Sequence, residues 1–277
     1  MFPPMIKPNR QRKRKPAPET PRETPTETPT ETPAQTTHFG YSDVPVDEKA
    51  SLVHDVFADV AENYDLMNDL MSMGIHRWWK SAFMNRLNPQ PGMRLLDVGG
   101  GTGDIAFAFL ARGGGAATVC DINAEMLEVG RRRAIDRGIL DNLDWTCGNA
   151  ENLPVSDASV EAYTTAFCIR NVTDIPAALR EARRVLKPGG RFMCLEFSHV
   201  VLPVFDKLYD AYSFNVLPAL GQLIAGNREA YQYLAESIRK FPTQDRFADM
   251  IADAGLGHVT YHNLSGGIAA IHSAWRI

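Results

Sequence analysis

The stretch Leu95-Leu96-Asp97-Val98-Gly99-Gly100-Gly101-Thr102-Gly103-Asp104 leaves this chain fewer options than any other part of it. Leu95, Leu96 and Val98 around an acid read as a short buried strand, and the glycines after them as a tight strand-to-helix turn. Glycine is required where the backbone takes positive φ or a ligand comes close, because a Cβ would collide. Ile105, Ala106, Phe107 and Leu110 then start a helix. Its free N–H groups point back at the loop and favour a polar ligand there. Strand, glycine turn and helix in that order indicate an α/β fold with a nucleotide-like ligand. An ordinary glycine-rich turn is the plainer alternative.

A dinucleotide fingerprint, G-x-G-x-x-G, started at Gly99 and Gly101 needs its third glycine at position 104. Asp104 stands there instead. An acid at the mouth of the turn repels a pyrophosphate and tolerates a cationic amino-acid group. The pattern Asp97-x-Gly99-x-Gly101-x-Gly103 resembles the first motif of S-adenosylmethionine-dependent methyltransferases, and it is this resemblance, not the spacing, that names the ligand.

A chain of 277 residues that is 44% hydrophobic can bury a sizeable core as one large α/β domain or two small ones. A net charge of -4 gives no support to nucleic-acid binding, which calls for a basic face. The longest apolar stretches, such as Val200 to Val204 and Ile268 to Ile271, fall far short of the roughly 20 residues a membrane span needs. Cys120, Cys147, Cys168 and Cys194 are too widely spaced for a metal knuckle or redox pair and read as reduced, mostly buried residues. No metal is expected. These features point to a cytoplasmic protein that touches a membrane at most.

Residues 1 to about 45 read as a disordered tail: Lys7 to Lys15 is basic, and Glu-Thr-Pro repeats follow from Glu19. A mitochondrial presequence, and hence the matrix, is the alternative, because the first acid is Glu19; the many prolines oppose its amphipathic helix. From Asp47 to Leu87 apolar residues three or four apart predict a helical arm, within a cover over 46–90. It holds Tyr64, His76, Arg77 and Lys80, each of which also has a plain structural reading. After the loop, strands are expected at Ala117–Ile122, Leu143–Cys147, Val160–Phe167 and Arg191–Phe197. Asn123 should cap one helix, and Thr173 or Asp174 another that Pro188-Gly189-Gly190 ends. Asp121, at the end of the second strand, suits the two hydroxyls of a ribose, and the Gly148–Pro154 loop an adenine edge. Residues 200–241 form an apolar helical insert that leaves a prenyl groove, a dimer face or plain packing open. Val259–Leu264 and Ile268–Trp275 predict an antiparallel pair closing the sheet.

Four runs carry a narrower resemblance: Tyr64 to Lys80; Arg170-Asn171-Val172-Thr173-Asp174; Arg183 to Arg191 with Leu195-Glu196-Phe197-Ser198; and Tyr231 to Ile238. Together they are similar to the ubiquinone/menaquinone biosynthesis C-methyltransferase family, from about Val53 to the C-terminus. The resemblance implies a class I methyltransferase (Rossmann-like) three-layer α/β sandwich over 46–277, with a mostly parallel seven-stranded sheet and an antiparallel last strand. It implies S-adenosylmethionine held by Asp97, Gly99, Gly101, Thr102, Asp121, Asn149 and Ala150. One position departs: Ala166-Phe167-Cys168 stands where Ser-Phe-Gly is expected.

The acceptor so implied is a prenylated benzoquinol or demethylmenaquinol, methylated on ring carbon. A hydroxyl ortho to that carbon must lose its proton, and the carbon must meet the methyl group in line. Arg170 is the candidate for phenolate stabilisation, although it could equally pair with Asp174. His76 and Tyr64 are candidates for proton transfer or ring placement. Rival readings are methylation of another small lipid-like acceptor and a non-catalytic cofactor-binding subunit. A homodimer, a quinone-synthesis complex and peripheral membrane contact also stay open.

Overall fold

The computed structural model describes residues 36–60, 69, 72, 74–200 and 228–277; side chains are described outside 57–60 and 228–230. Residues Gln35–Ile277 form a compact unit. In order its elements are β1 (Thr36–Phe39), β2 (Ser42–Pro45), α1 (Val46–Val60), α2 (His76–Leu87), β3 (Arg94–Val98), α3 (Asp104–Ala111), β4 (Ala116–Asp121), α4 (Ala124–Asp136) and β5 (Leu143–Cys147). There follow β6 (Val160–Ala166), a 3-10 turn (Ile169–Asn171), α5 (Ile175–Val185), β7 (Leu186–Phe197), α6 (Arg228–Lys240), α7 (Gln244–Asp253), β8 (Gly257–Leu264) and β9 (Ala269–Trp275).

The main sheet has the order β5-β4-β3-β6-β7-β9-β8. β3 lies inside it, pairing in parallel with β4 and β6, with Leu96 opposite both Thr118 and Tyr163. Its near-continuous apolar run is what a strand covered on both faces requires. Successive residues point to opposite faces. Leu95 packs with Trp79, Phe83, Ile105 and Phe109, and Leu96 with Tyr163, Leu179, Phe192 and Phe247. Helices α2, α3 and α4 therefore cover one face and α5 and α7 the other, giving three layers. β9 is antiparallel to both neighbours and is the one reversed strand of the seven. It lies inside the sheet, buried from Ala269 to Ala274, while the more polar β8 takes the edge.

The helix starts form as their residues predict. The Asn123 side chain accepts from the Met126 N–H, that of Asp174 from Ala177 and that of Thr243 from Arg246.

Three expectations need correction. The tail expected to reach residue 45 gives way at Thr36 to the β1/β2 hairpin, in which Thr37 faces Val44 and His38 faces Asp43. Phe39 at its turn stacks on Tyr233 of α6, ring centroids 4.2 Å apart, so the hairpin gains a packing partner distant in sequence. Pro188-Gly189-Gly190 does not separate a helix from a strand. α5 ends at Val185, and β7 starts at Leu186 and loops out between its pairings at Leu186 and Arg191. Gly189, at φ +76°, makes this turn, which the C-terminal segment pins through Gly189 N–H to Arg276 O (2.7 Å) and Arg276 N–H to Gly190 O (2.9 Å). Of the four cysteines, which are all free, Cys120 and Cys194 are buried, Cys168 is half-buried and Cys147 is exposed. Residues 1–35, Tyr64 and 201–227, most of the apolar insert, lie outside the described residues.

Candidate active site

The expected cofactor residues converge at the carboxyl ends of β3, β4 and β5, where open α/β sheets bind ligands. Gly99, at φ +63°, turns the chain out of β3, and its N–H donates to Cys120 O (2.8 Å). A Cβ on it would lie 2.0 Å from Cys168 Sγ, so nothing larger fits. Gly101, at φ +52°, aims its N–H at Asp121 Oδ2 (2.8 Å), while Asp121 Oδ1 accepts from Asn123 N–H (2.9 Å). The Ile122 N–H also favours this carboxylate, whose remaining acceptor capacity is open to a ligand. Burial pushes the Asp121 carboxyl up, against the backbone N–H groups that favour its charge.

Asp97, on the preceding strand, is buried with Oδ1 bonded to Thr164 Oγ1 (2.7 Å) and Oδ2 without a partner among the described residues. Burial raises its carboxyl to about 7. Thr102 is buried, its hydroxyl accepting from Arg133 (2.9 Å). Asp104 refines the reasoning from sequence. Burial raises its carboxyl, but Lys80, 2.8 Å away, with Arg133 and Arg137, holds it below the ordinary range. Its charge is largely matched, so the missing glycine speaks against a dinucleotide more strongly than repulsion does.

An open pocket lies beside this loop, floored by Gly99, Asp121, Asn149, Ala150 and Cys168 and roofed by Ala50 and Val53 of α1. A smaller recess continues past Asp97, Gly100, Thr102 and Asp104 to Ala166 and Phe167. Tested against S-adenosylmethionine, the residues fit. Asp121 offers two acceptors for a ribose, an apolar roof faces Asn149 and Ala150, and the orphaned oxygen of Asp97 borders a recess suited to a cationic amino-acid end.

The catalytic candidates are not brought together in the same way. His76 is buried at the start of α2, its Nε2 2.8 Å from Asp69 Oδ1, while Nδ1 has no partner among the described residues. Burial, helped by nearby Lys80, lowers its pKa and keeps the ring neutral. Bonding to a carboxylate places the ring proton on Nε2 and leaves Nδ1 as the base. Arg170 is 4% exposed and does not meet Asp174. Its Nη1 donates to Glu196 Oε1 (2.8 Å) and Phe167 O (2.6 Å), and its Nε to Ser237 Oγ (3.3 Å). Burial pushes the Glu196 carboxyl up against the pull of Arg170. Tyr64 lies outside the described residues.

Lys49 lies outside every motif singled out in the sequence. This residue of α1 is 1% exposed, and its ammonium donates to Val172 O (3.1 Å). Burial lowers its pKa against the attraction of Glu151. Glu151 in turn accepts from Thr173 and Asp174 N–H at 2.9 and 3.2 Å. One charged group thus fastens the cavity roof to the loops after β5 and β6. A hydrogen bond to a charged group contributes about 1.5–3 kcal/mol. Lys49→Met is therefore expected to weaken S-adenosylhomocysteine binding about tenfold, equivalent to about 1.4 kcal/mol, with turnover at saturating cofactor preserved. Calorimetric titration beside steady-state kinetics checks both.

A reversed last strand on a parallel sheet, with a glycine turn bonded to a carboxylate on the next strand, is the arrangement of a class I S-adenosylmethionine-dependent methyltransferase. Solved structures agree in fold. A SAM-dependent methyltransferase from Thermotoga maritima superposes with TM-score 0.59 at 17% identity, covering 80% of this chain and 99% of the other. One from Aquifex aeolicus gives 0.53 at 17%, covering 72% and 89%. The chain belongs to the ubiE/COQ5 methyltransferase family, whose profile matches residues 45–276. It is 59% identical over 247 residues to the ubiquinone/menaquinone biosynthesis C-methyltransferase UbiE of Bradyrhizobium diazoefficiens, covering 87% of this chain and 98% of that protein. It is 51% identical over 277 residues to the mitochondrial 2-methoxy-6-polyprenyl-1,4-benzoquinol methylase of Danio rerio, covering 87% and 85%.

Proposed function

We propose that this chain, an S-adenosylmethionine-dependent C-methyltransferase of ubiquinone/menaquinone biosynthesis, methylates a ring carbon of a prenylated benzoquinol or demethylmenaquinol. One observation carries the chemical reading: a buried, neutral His76 held by Asp69, with an unpartnered Nδ1, on the helix whose Lys80 meets the glycine loop at Asp104. The cofactor, when bound, supplies an electrophilic methyl group. His76 Nδ1 takes the proton of a ring hydroxyl, so that the ortho carbon gains the electron density to attack. The carboxylate of Asp69 stabilises the imidazolium that forms. Ala50 and Val53 cover the Asn149 and Ala150 side of the pocket and shield the bound cofactor there from water. Asp121 and the loop fix the donor, so the entropy of alignment is met before the chemical step.

Arg170 takes a role other than the direct phenolate contact expected from sequence. It is a positioning residue, holding the Phe167–Thr173 loop against β7 through Glu196. Tyr64 stays a candidate for proton transfer or ring placement.

The histidine assignment has a pH signature. A base must be unprotonated, so activity falls as pH drops through the pKa of His76, which lies below the ordinary histidine value. The acid limb of kcat/KM is expected at that depressed pKa, with His76→Asn lowering the rate about 100-fold or more and removing the limb. An unchanged limb in His76→Asn would assign the proton elsewhere. The acceptor is tested by quinone profiling in cells lacking the protein. Accumulation of a species one methyl short identifies the ring, and an unchanged profile rejects the reading.

A further inference from the structure

A basin on the outside of the molecule borders His76 and is otherwise unused by this chemistry. Arg77 and Lys80 of α2, Arg112 after α3 and Arg137 after α4 line it, around the single carboxylate of Asp104. Arg77 is paired with Asp69 and Lys80 with Asp104. Arg112 donates to Ser81 Oγ (2.9 Å) and the Arg137 guanidinium lies 4.6 Å from the centre of the Phe107 ring; neither meets a carboxylate within ion-pair distance among the described residues. The basin thus gathers positive charge on a chain whose net charge is -4. Trp78, next to Arg77, is 60% exposed, and Ile75, one turn earlier, is 37% exposed. An exposed tryptophan with neighbouring arginines is the composition of a surface that meets lipid: the indole suits the headgroup boundary and guanidinium groups bind phosphate in a fork.

We propose that this basin and the outer face of α2 form the docking surface for an anionic lipid bilayer, with lipid phosphates on Arg112 and Arg137 and Trp78 entering the interface. The proposal rests on the reading of a prenylated acceptor, a molecule that resides in lipid. Among the described residues no helix is long and apolar enough to cross a membrane, so contact through them is made at the surface. Docking there sets His76, on the first turn of α2, beside the bilayer. It also places the Lys80–Asp104 pair, shared with the cofactor recess, just behind the docked face.

The test is co-sedimentation of the full chain with phosphatidylcholine vesicles, with and without phosphatidylglycerol. Binding is expected only with the anionic lipid, weakening with added salt. Arg112→Glu with Arg137→Glu should lower it at least tenfold, and Trp78→Ala should lower it and remove the blue shift of tryptophan fluorescence on vesicle addition. The far-UV circular dichroism spectrum is the folding control and should be unchanged in all variants. Equal binding by variants and parent overturns the proposal, as does equal binding to phosphatidylcholine alone. Full displacement by inorganic phosphate at the same phosphate concentration makes the basin a free-anion site and also overturns it. So does self-association through Trp78 without vesicles. None of these arms needs turnover, so failure to methylate a quinol rejects the proposed function without deciding this one.

Discussion

Arg170→Met is expected to cost about 3–5 kcal/mol of folding stability, because it leaves the Glu196 carboxylate buried and unpaired. Arg170 and Glu196 have side chains 2% and 1% exposed and lie 2.8 Å apart, so bulk solvent does not reach either charge. For a domain of this size that loss lowers the melting temperature by roughly 10 °C. Replacing both partners, as Arg170→Met with Glu196→Leu, removes the orphaned charge and should restore most of the stability, since a well-packed apolar pair substitutes for a buried ion pair at little cost. Glu196 also accepts from the Phe197 and Arg170 N–H groups, which keeps the recovery partial. Denaturant unfolding of the parent, the single variant and the double variant measures the cycle. A stable but inactive Arg170→Met would contradict the positioning role and return Arg170 to direct contact with the phenolate.

Asp121→Asn should have the largest effect on ligand binding, weakening S-adenosylhomocysteine about 100-fold, equivalent to about 2.7 kcal/mol. Both carboxylate oxygens are engaged by backbone donors, Gly101 N–H at 2.8 Å and Asn123 N–H at 2.9 Å. An amide presents one acceptor and one NH2 group, so whichever way it is turned one donor faces another. The loop at Gly101 or the cap of α4 must shift, and a ribose hydroxyl loses an acceptor as well. Asp121→Glu keeps the charge and moves it by one methylene, and should be nearly as damaging, because the buried pocket fixes the position. Calorimetric titration checks both. Near-parental affinity in Asp121→Asn would show that the ribose is not held there.

The parts of this molecule legible in its sequence are those set by local rules. Leu95 to Asp104, the caps at Asn123 and Asp174, and the strands at Leu143 and Val160 depend on neighbours within a few residues, and they fold where they were expected. Convergence of Gly99, Asp121 and Asn149 follows from parallel strands sharing one open end. What escaped depends on distant partners. The β1/β2 hairpin is short and polar, and the packing of Phe39 on Tyr233 joins residues far apart in sequence. Arg170 was visible as a loop arginine, yet its partner is Glu196, an acid set in the apolar run Phe192 to Phe197 where a charge would not be buried alone. That isolated acid was the available signal. Lys49 gave a similar one, since it sits on the stripe of Val53, Val56 and Val60, a position solvated lysines avoid. Both departures from an apolar pattern mark groups that bind loops together around the site.

Transfer of a methyl group to ring carbon has a direct readout. Purified protein supplied with methyl-labelled S-adenosylmethionine and either a reduced prenylated benzoquinol or demethylmenaquinol should give a product whose label resists ether cleavage and appears as a ring methyl in the fragment spectrum. Label on oxygen, or on neither quinol by a protein that binds S-adenosylhomocysteine normally, would contradict it.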